Sequence, residues 1–137
     1  IELNGSPITA ETERGYAVTT RTWQAGDQID LALPLKIQRI RGSDQIAATF
    51  GQVALRRGPL IYAVESIDQE LDHTLAAEAD LETQWRDDLL GGIQLITGAW
   101  EDGSPLIAIP YYARQNRIDK DPDWNRGVTS TVWVPEQ

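Results

Sequence analysis

Apolar residues recur at every second position through Ile29, Leu31, Leu33, Leu35 and Ile37, with Asp30, Ala32, Pro34, Lys36 and Gln38 alternating along the same run. A period of two puts alternate side chains on one side of an extended chain, so this run predicts a half-buried strand with those five residues on the covered face. Pro34 cannot donate to a ladder, which places it on an edge or at a bulge. The stretch from Gly15 to Trp23, rich in Tyr, Val, Thr and Trp, predicts a second strand, and Ala25-Gly26-Asp27 predicts a hairpin turn between the two.

Further strands are predicted at Ile46 to Phe50, Gln52 to Arg56, Pro59 to Val64, Ile93 to Thr97, Leu106 to Ala113 and Val128 to Val134, with Gly or Pro at most boundaries. Many short strands separated by turns imply an all-β fold, an antiparallel β-sandwich or jelly roll. One segment departs from this pattern. Between residues 68 and 85 the spacing of Leu71, Leu75, Ala76 and Ala79 fits a single short helix as well as it fits none. Arg57-Gly58-Pro59 reads as backbone punctuation, Gly for a strained turn and Pro for entry to the next strand, with Arg57 poised to pair with Glu65 or another acid.

A chain of 137 residues predicts one compact sandwich domain, and residues 1–40 also fit the end of a preceding sandwich. The chain contains no Met and opens at Ile1 without a basic or apolar leader, which reads as a segment excised from a longer protein. No apolar run approaches the roughly 18 to 20 residues of a membrane-spanning helix. Zero Cys excludes disulfides, thiolate nucleophiles and Cys-rich metal sites. The net charge of −9 argues against a phosphate-tracking, nucleic-acid-binding surface. Nine acidic residues against Arg86 alone lie between Glu65 and Asp88, so −8 of the −9 is concentrated there. That segment reads as a solvated flap, with a cation site or a surface for a basic partner as the sharper alternative.

Candidate chemistry is sparse. His73 is the single His, and no Cys or second His is near it in sequence to complete a metal site or a catalytic dyad. Phosphate loops, nucleophile elbows and zinc-protease helices are absent from the sequence. Glycoside hydrolysis needs two carboxyl groups about 5 to 9.5 Å apart, but among 21 acidic residues some pair will meet that condition by chance. Asp119, Asp121 and Asp123 open like a calcium loop, yet Trp124 stands where an EF-hand needs Gly and Ser130 where it needs Glu, so a solvated turn is the better reading. Five Trp and four Tyr invite stacking on sugar rings, with hydroxyls held by amides and guanidinium groups. The candidate carbohydrate-binding set is Tyr111, Tyr112, Trp100, Trp124, Asn116 and Arg117, with Trp85 as a further exposed platform.

Several short signatures occur in order along the chain. They are Asn4-Gly5 followed by Gly15-Tyr16; Trp23-Gln24-Ala25-Gly26-Asp27 leading into Leu31-Ala32-Leu33-Pro34; the run from Val53 to Tyr62 with Glu65 after it; Ile109-Pro110-Tyr111-Tyr112-Ala113 with Asn116-Arg117; and Val132-Trp133. Together they resemble the C-terminal part of the β-L-arabinofuranosidase family of glycoside hydrolases, family 127 and its relatives. The resemblance implies a helical barrel upstream that carries the active site, followed by β-sandwich domains of which this chain is one. It also implies that the Cys nucleophile and the zinc with its Cys and Glu ligands lie on that barrel, leaving no catalytic residue, metal or cofactor to this chain. Arg114, at a position often Trp in the family, and the long polar stretch from Ile118 to Gly127 depart from the pattern and leave the parent's substrate open.

The expected role is therefore that of a non-catalytic accessory domain packed on the catalytic barrel, with a free-standing carbohydrate-binding module as the alternative. Expected partners are the barrel, arabinose-containing glycans and, through an apolar patch edged by Tyr111, Tyr112 or Trp100, a second copy of the chain. A secreted or periplasmic location fits a glycan-degrading parent.

Overall fold

In a computed structural model of the chain, residues 1–117 and 128–137 are described, and the chain forms two compact units, Ile1–Pro34 and Leu35–Gln137. In the first unit, strand β1 (Glu2–Leu3) pairs antiparallel with β2 (Ser6–Pro7), and β3 (Glu11–Glu13) pairs with β4 (Tyr16–Val18). Both hairpins turn on two residues, Asn4-Gly5 and Arg14-Gly15, with positive φ throughout, the handedness that matches the twist of the flanking strands. Strand β5 (Ile29–Asp30) returns to pair with β1. Asn4 ties this return together: its amide donates to Asp27 Oδ1 at 2.9 Å and its side-chain oxygen accepts the Gln28 backbone N–H at 2.9 Å.

The alternating run does not form the predicted strand. Only Ile29 and Asp30 join a ladder before Pro34, and Leu31 and Leu33 are 60% and 65% exposed. Alternation reports a half-buried strand only where a second layer exists to cover it, and within the first unit no layer covers these residues. The Ala25-Gly26-Asp27 turn exists, closed by the Asp27 N–H on the Gln24 carbonyl, but it returns the chain to β1 and not to the 15–23 segment.

In the second unit, β6 (Ile37–Arg41), β7 (Gln52–Arg57) and β13 (Trp133–Pro135) form one antiparallel layer with β7 in the middle. The other layer runs from β12 (Ser130–Thr131) through β8 (Leu60–Glu65), β11 (Pro105–Pro110) and β10 (Ile93–Ala99) to β9 (Glu82–Arg86). The β7–β8 hairpin joins the layers: it is paired only at Arg56↔Ile61 and Arg57↔Leu60. Gly58 at its tip has φ +57°, and a Cβ there would come within 2.5 Å of Leu35, so the Gly of Arg57-Gly58-Pro59 serves both turn shape and close approach.

Between the layers lie Val53, Leu55 and Val134 from one side and Tyr62, Val64, Ile96, Leu106 and Ala108 from the other. This is a sandwich core built from the alternate residues of each strand. Strands β10 and β11 are covered on their opposite face too, where Ile93, Leu95, Ile109 and Ala113 pack together, which is why these strands read as continuous apolar runs.

The acidic segment forms no helix. It forms a strap of turns and bends that inserts Leu75, fully buried, into the main core. Leu75 N–H donates to the Pro135 carbonyl at 2.8 Å and its carbonyl accepts the Gln137 N–H at 3.2 Å. The Arg39 guanidinium holds the strap from the other side, donating to the carbonyls of Ala76 and Ala79 at 2.9 and 2.8 Å and to that of Ala77. Carbonyls used this way cannot complete a helical ladder. The same segment ends in β9, a strand with four of five residues exposed that carries no apolar alternation to announce it. The predicted strand at Ile46 to Phe50 is instead a short 3-10 turn, Ala47–Thr49, and Tyr111–Ala113 is a second one that ends β11. Among the described residues no helix is long and apolar enough to cross a membrane.

Candidate functional site

The most buried charge in the second unit is Glu65, the last residue of β8, which is 0% exposed. Alternation turns its side chain away from Val64 and the main core, toward the segment that follows β11. There Arg117 donates from Nε and Nη2 to Glu65 Oε2 at 2.9 and 2.6 Å, and the Gln115 backbone N–H donates to Oε1. Arg117 also binds Asp68, through Nη1 at 2.8 Å and through Nη2. Burial works against the Arg117 charge, but the bonds to Asp68 and Glu65 outweigh it and hold the guanidinium above its ordinary pKa. With both carboxylate oxygens held by residues 115 and 117, this network ties the segment after β11 to the end of β8.

Arg117 thus lies in an internal ion pair, and it, not Arg57, is the partner of Glu65; Arg57 forms no ion pair with an acid among the described residues. The Arg57 Nε is buried without a hydrogen-bond partner among the described residues.

The aromatic residues separate into buried and open groups. Trp100 is 3% exposed, its indole N–H donates to Gln69 Oε1 at 3.0 Å, and its ring stacks on His73 with centroids 5.6 Å apart. It belongs to the core, not to an exposed platform or patch edge. His73 in turn lies 3.2 Å from Asp102, whose carboxyl is held below its usual value chiefly by hydrogen bonds from Ser104. Tyr111 and Tyr112 sit on the 3-10 turn anchored by buried Ala113; Tyr112 is 63% exposed, and the Arg114 guanidinium lies 4.8 Å over the Tyr111 ring.

Tyr112 and Asn116 share an open cleft of about 440 Å³ with Leu90, Gly92, Ile93 and Ala113, and the Asn116 amide donates to the Tyr112 carbonyl at 3.3 Å. Trp85 stands exposed on β9 and covers Gly92, where an added Cβ would come within 2.6 Å of the indole. Trp124, Asp119, Asp121 and Asp123 lie outside the described residues. The structure therefore brings Tyr112 and Asn116 together, with Tyr111 beside them, while Trp100 is buried and Arg117 is engaged by Glu65 and Asp68. No group of three or more metal-ligating side chains occurs among the described residues, and a donor set with one His and no Cys does not fit a Cys-rich zinc centre. A pocket at the Gly42 to Gly51 connection escaped the sequence reading; its one signal is Phe50, the sole Phe of the chain, next to a turn-forming Gly.

Strand order, two layers sharing one core and a polar network used to hold loops define an antiparallel all-β sandwich domain. The chain belongs to glycoside hydrolase family 127: residues 37–135 match the glycoside hydrolase family 127 C-terminal domain, the family its signatures resemble. It is 30% identical over 146 aligned positions to a non-reducing end β-L-arabinofuranosidase of Bifidobacterium longum subsp. longum, covering 85% of this chain and 22% of that protein. Its structure resembles the crystal structure of a GH127 β-L-arabinofuranosidase from Geobacillus stearothermophilus T6 with a TM-score of 0.82 at 32% identity, over 99% of this chain and 24% of that one. A second GH127 β-arabinofuranosidase shares the fold with a TM-score of 0.76 at 24% identity, over 99% of this chain and 23% of the other. The chain thus spans less than a quarter of the length of each of these three relatives.

Proposed function

We propose that this chain is a non-catalytic sandwich domain that packs against the catalytic barrel of a glycoside hydrolase similar to β-L-arabinofuranosidases. The observation that carries the reading is the match of nearly the whole chain to under a quarter of such enzymes. The exposure of Ile29, Leu31 and Leu33 supports it, because large apolar side chains left open to water favour a protein partner. In this reading residues 1–34 are the end of a preceding sandwich, any zinc sits on the barrel, and the glycan acted on contains arabinose. The test has two arms. The purified chain should release no sugar from aryl β-L-arabinofuranosides, and it should co-elute with the separately produced barrel of its parent. Turnover abolished by changing a carboxylate of this chain, or failure to co-elute, would overturn the proposal.

A free-standing carbohydrate-binding module is the second reading, supported by the cleft that Tyr112 and Asn116 share. Retention of the chain on immobilised arabinan, lost in Tyr112→Ala, would favour it.

A further inference from the structure

We propose that the pocket between the end of β6 and the start of β7 binds a single neutral sugar ring. It is lined by Arg41, Asp44, Thr49, Phe50, Gln52 and Glu136 and encloses about 310 Å³, the lower end of the roughly 300 to 1,000 Å³ range of small-molecule sites. The Phe50 side chain is 59% exposed at this polar pocket, a flat apolar face of the sort on which the C–H face of a sugar stacks.

The polar wall is set in advance. Glu136 accepts from Arg39 at Oε1, at 3.0 Å, and from Arg41 Nη2 at Oε2, so its carboxylate is neutralised and oriented. Arg41 Nε and Nη1 make no hydrogen bond among the described residues and remain donors for a pair of neighbouring hydroxyls, while Asp44 offers acceptors. Arg39 and Arg41 balance Asp44 and Glu136, which leaves little net charge to attract an anion or a cation. A charge-balanced wall with open donors on Arg41 and open acceptors on Asp44, beside an aromatic face, suits a ligand that is uncharged and rich in hydroxyls.

The backbone that carries Phe50 is tied at two points. Its backbone N–H donates to the Ala47 carbonyl at 3.3 Å, and the Gly51 carbonyl accepts the Glu136 N–H at 2.9 Å, tying the turn to the last strand. A preformed site loses less ordering entropy on binding.

The inference rests on the glycan-active family for its choice of probe and not on docking to a barrel. The experiment is a titration of the ¹⁵N-labelled full chain with L-arabinose and with arabinan oligosaccharides, followed by NMR. Saturable shifts are expected at residues 41–52 and 136, unchanged by added salt, with Phe50→Ala weakening binding at least about tenfold. Phe50 is exposed, so that variant should keep its fold by circular dichroism, and Glu101→Ala, an exposed residue outside both clefts, should bind as the parent does. Absence of shifts, shifts confined to Tyr112 and Asn116, unimpaired binding by Phe50→Ala, or affinity that falls with salt would each overturn the proposal. Co-elution of Phe50→Ala with the barrel is scored separately, so loss of sugar binding and loss of docking stay distinguishable.

Discussion

Two N–H groups of Arg117 converge on one oxygen of Glu65, at 2.9 and 2.6 Å, across a sequence separation of 52 residues. Glu65 ends strand β8, next to β11 in its layer, and Arg117 lies in the segment beyond the Tyr111–Ala113 turn, so the pair positions Tyr112 and Asn116 from the inside.

Arg117→Ala should lower unfolding free energy by about 3–5 kcal/mol, because Glu65 would remain buried with its countercharge gone. Glu65→Gln should cost less, about 1–3 kcal/mol, since an amide keeps some of the hydrogen bonds. Urea denaturation of both variants measures this. Equal, near-zero losses would mean that the pair is solvated.

Leu75→Ala should destabilise by about 2–5 kcal/mol, the usual cost of emptying a filled core position. The neighbouring exposed Glu78 provides the control, since Glu78→Ala should change stability by no more than about 0.5 kcal/mol. Thermal melts of the two variants side by side would reveal whether the strap is part of the core.

Leu31→Asp should leave the fold of the isolated chain within about 0.5 kcal/mol of the parent, because Leu31 is exposed and an aspartate there stays hydrated. The isolated chain is expected to self-associate through the exposed Ile29, Leu31 and Leu33 at rising concentration, and Leu31→Asp should suppress this. Static light scattering decides: a strictly monomeric parent chain would contradict the expectation.

Strands with a partner layer were legible in the sequence, and those without one were not. Gln52–Arg57, Leu60–Glu65 and Ile93–Ala99 carry dense apolar residues because both layers of the core rest on them. Glu82–Arg86 escaped because an edge strand with exposed polar residues has no hydrophobic period. Leu71, Leu75, Ala76 and Ala79 imitated a helical stripe, but Leu75 alone enters the core fully and Arg39 takes the carbonyls a helix would need. Of the carbohydrate candidates, surface position could be guessed for Tyr112 and Asn116, whereas the burial of Trp100 and Arg117 depended on Gln69, Glu65 and Asp68, partners at distances that residue spacing does not encode.

Alkaline solution should destabilise the second unit through Tyr62. Burial, with a smaller contribution from Tyr112, raises its phenol pKa above 10.0 against the opposing influence of Arg57, and its hydroxyl donates to the Gln94 carbonyl at 3.0 Å. A group whose pKa is raised by folding contributes fully below its unfolded value, here 10.0, and the contribution is lost as pH climbs through the higher folded value. Tyr62→Phe should therefore flatten the decline in melting temperature above pH 10. An identical decline in both proteins would assign the effect to other groups.

The strap that carries Leu75 is closed by backbone bonds from Pro135 and Gln137, and strand β13 lies between it and β7. A chain emerging from the ribosome reaches Leu75 long before it reaches those residues. Until residues 133–137 have been made, β7 lacks one neighbour and Leu75 lacks its backbone anchor. The core of this unit is consequently sealed only once β13 is in place, and removing Trp133–Gln137 should leave a protease-sensitive chain in which every remaining strand is present and the core is open.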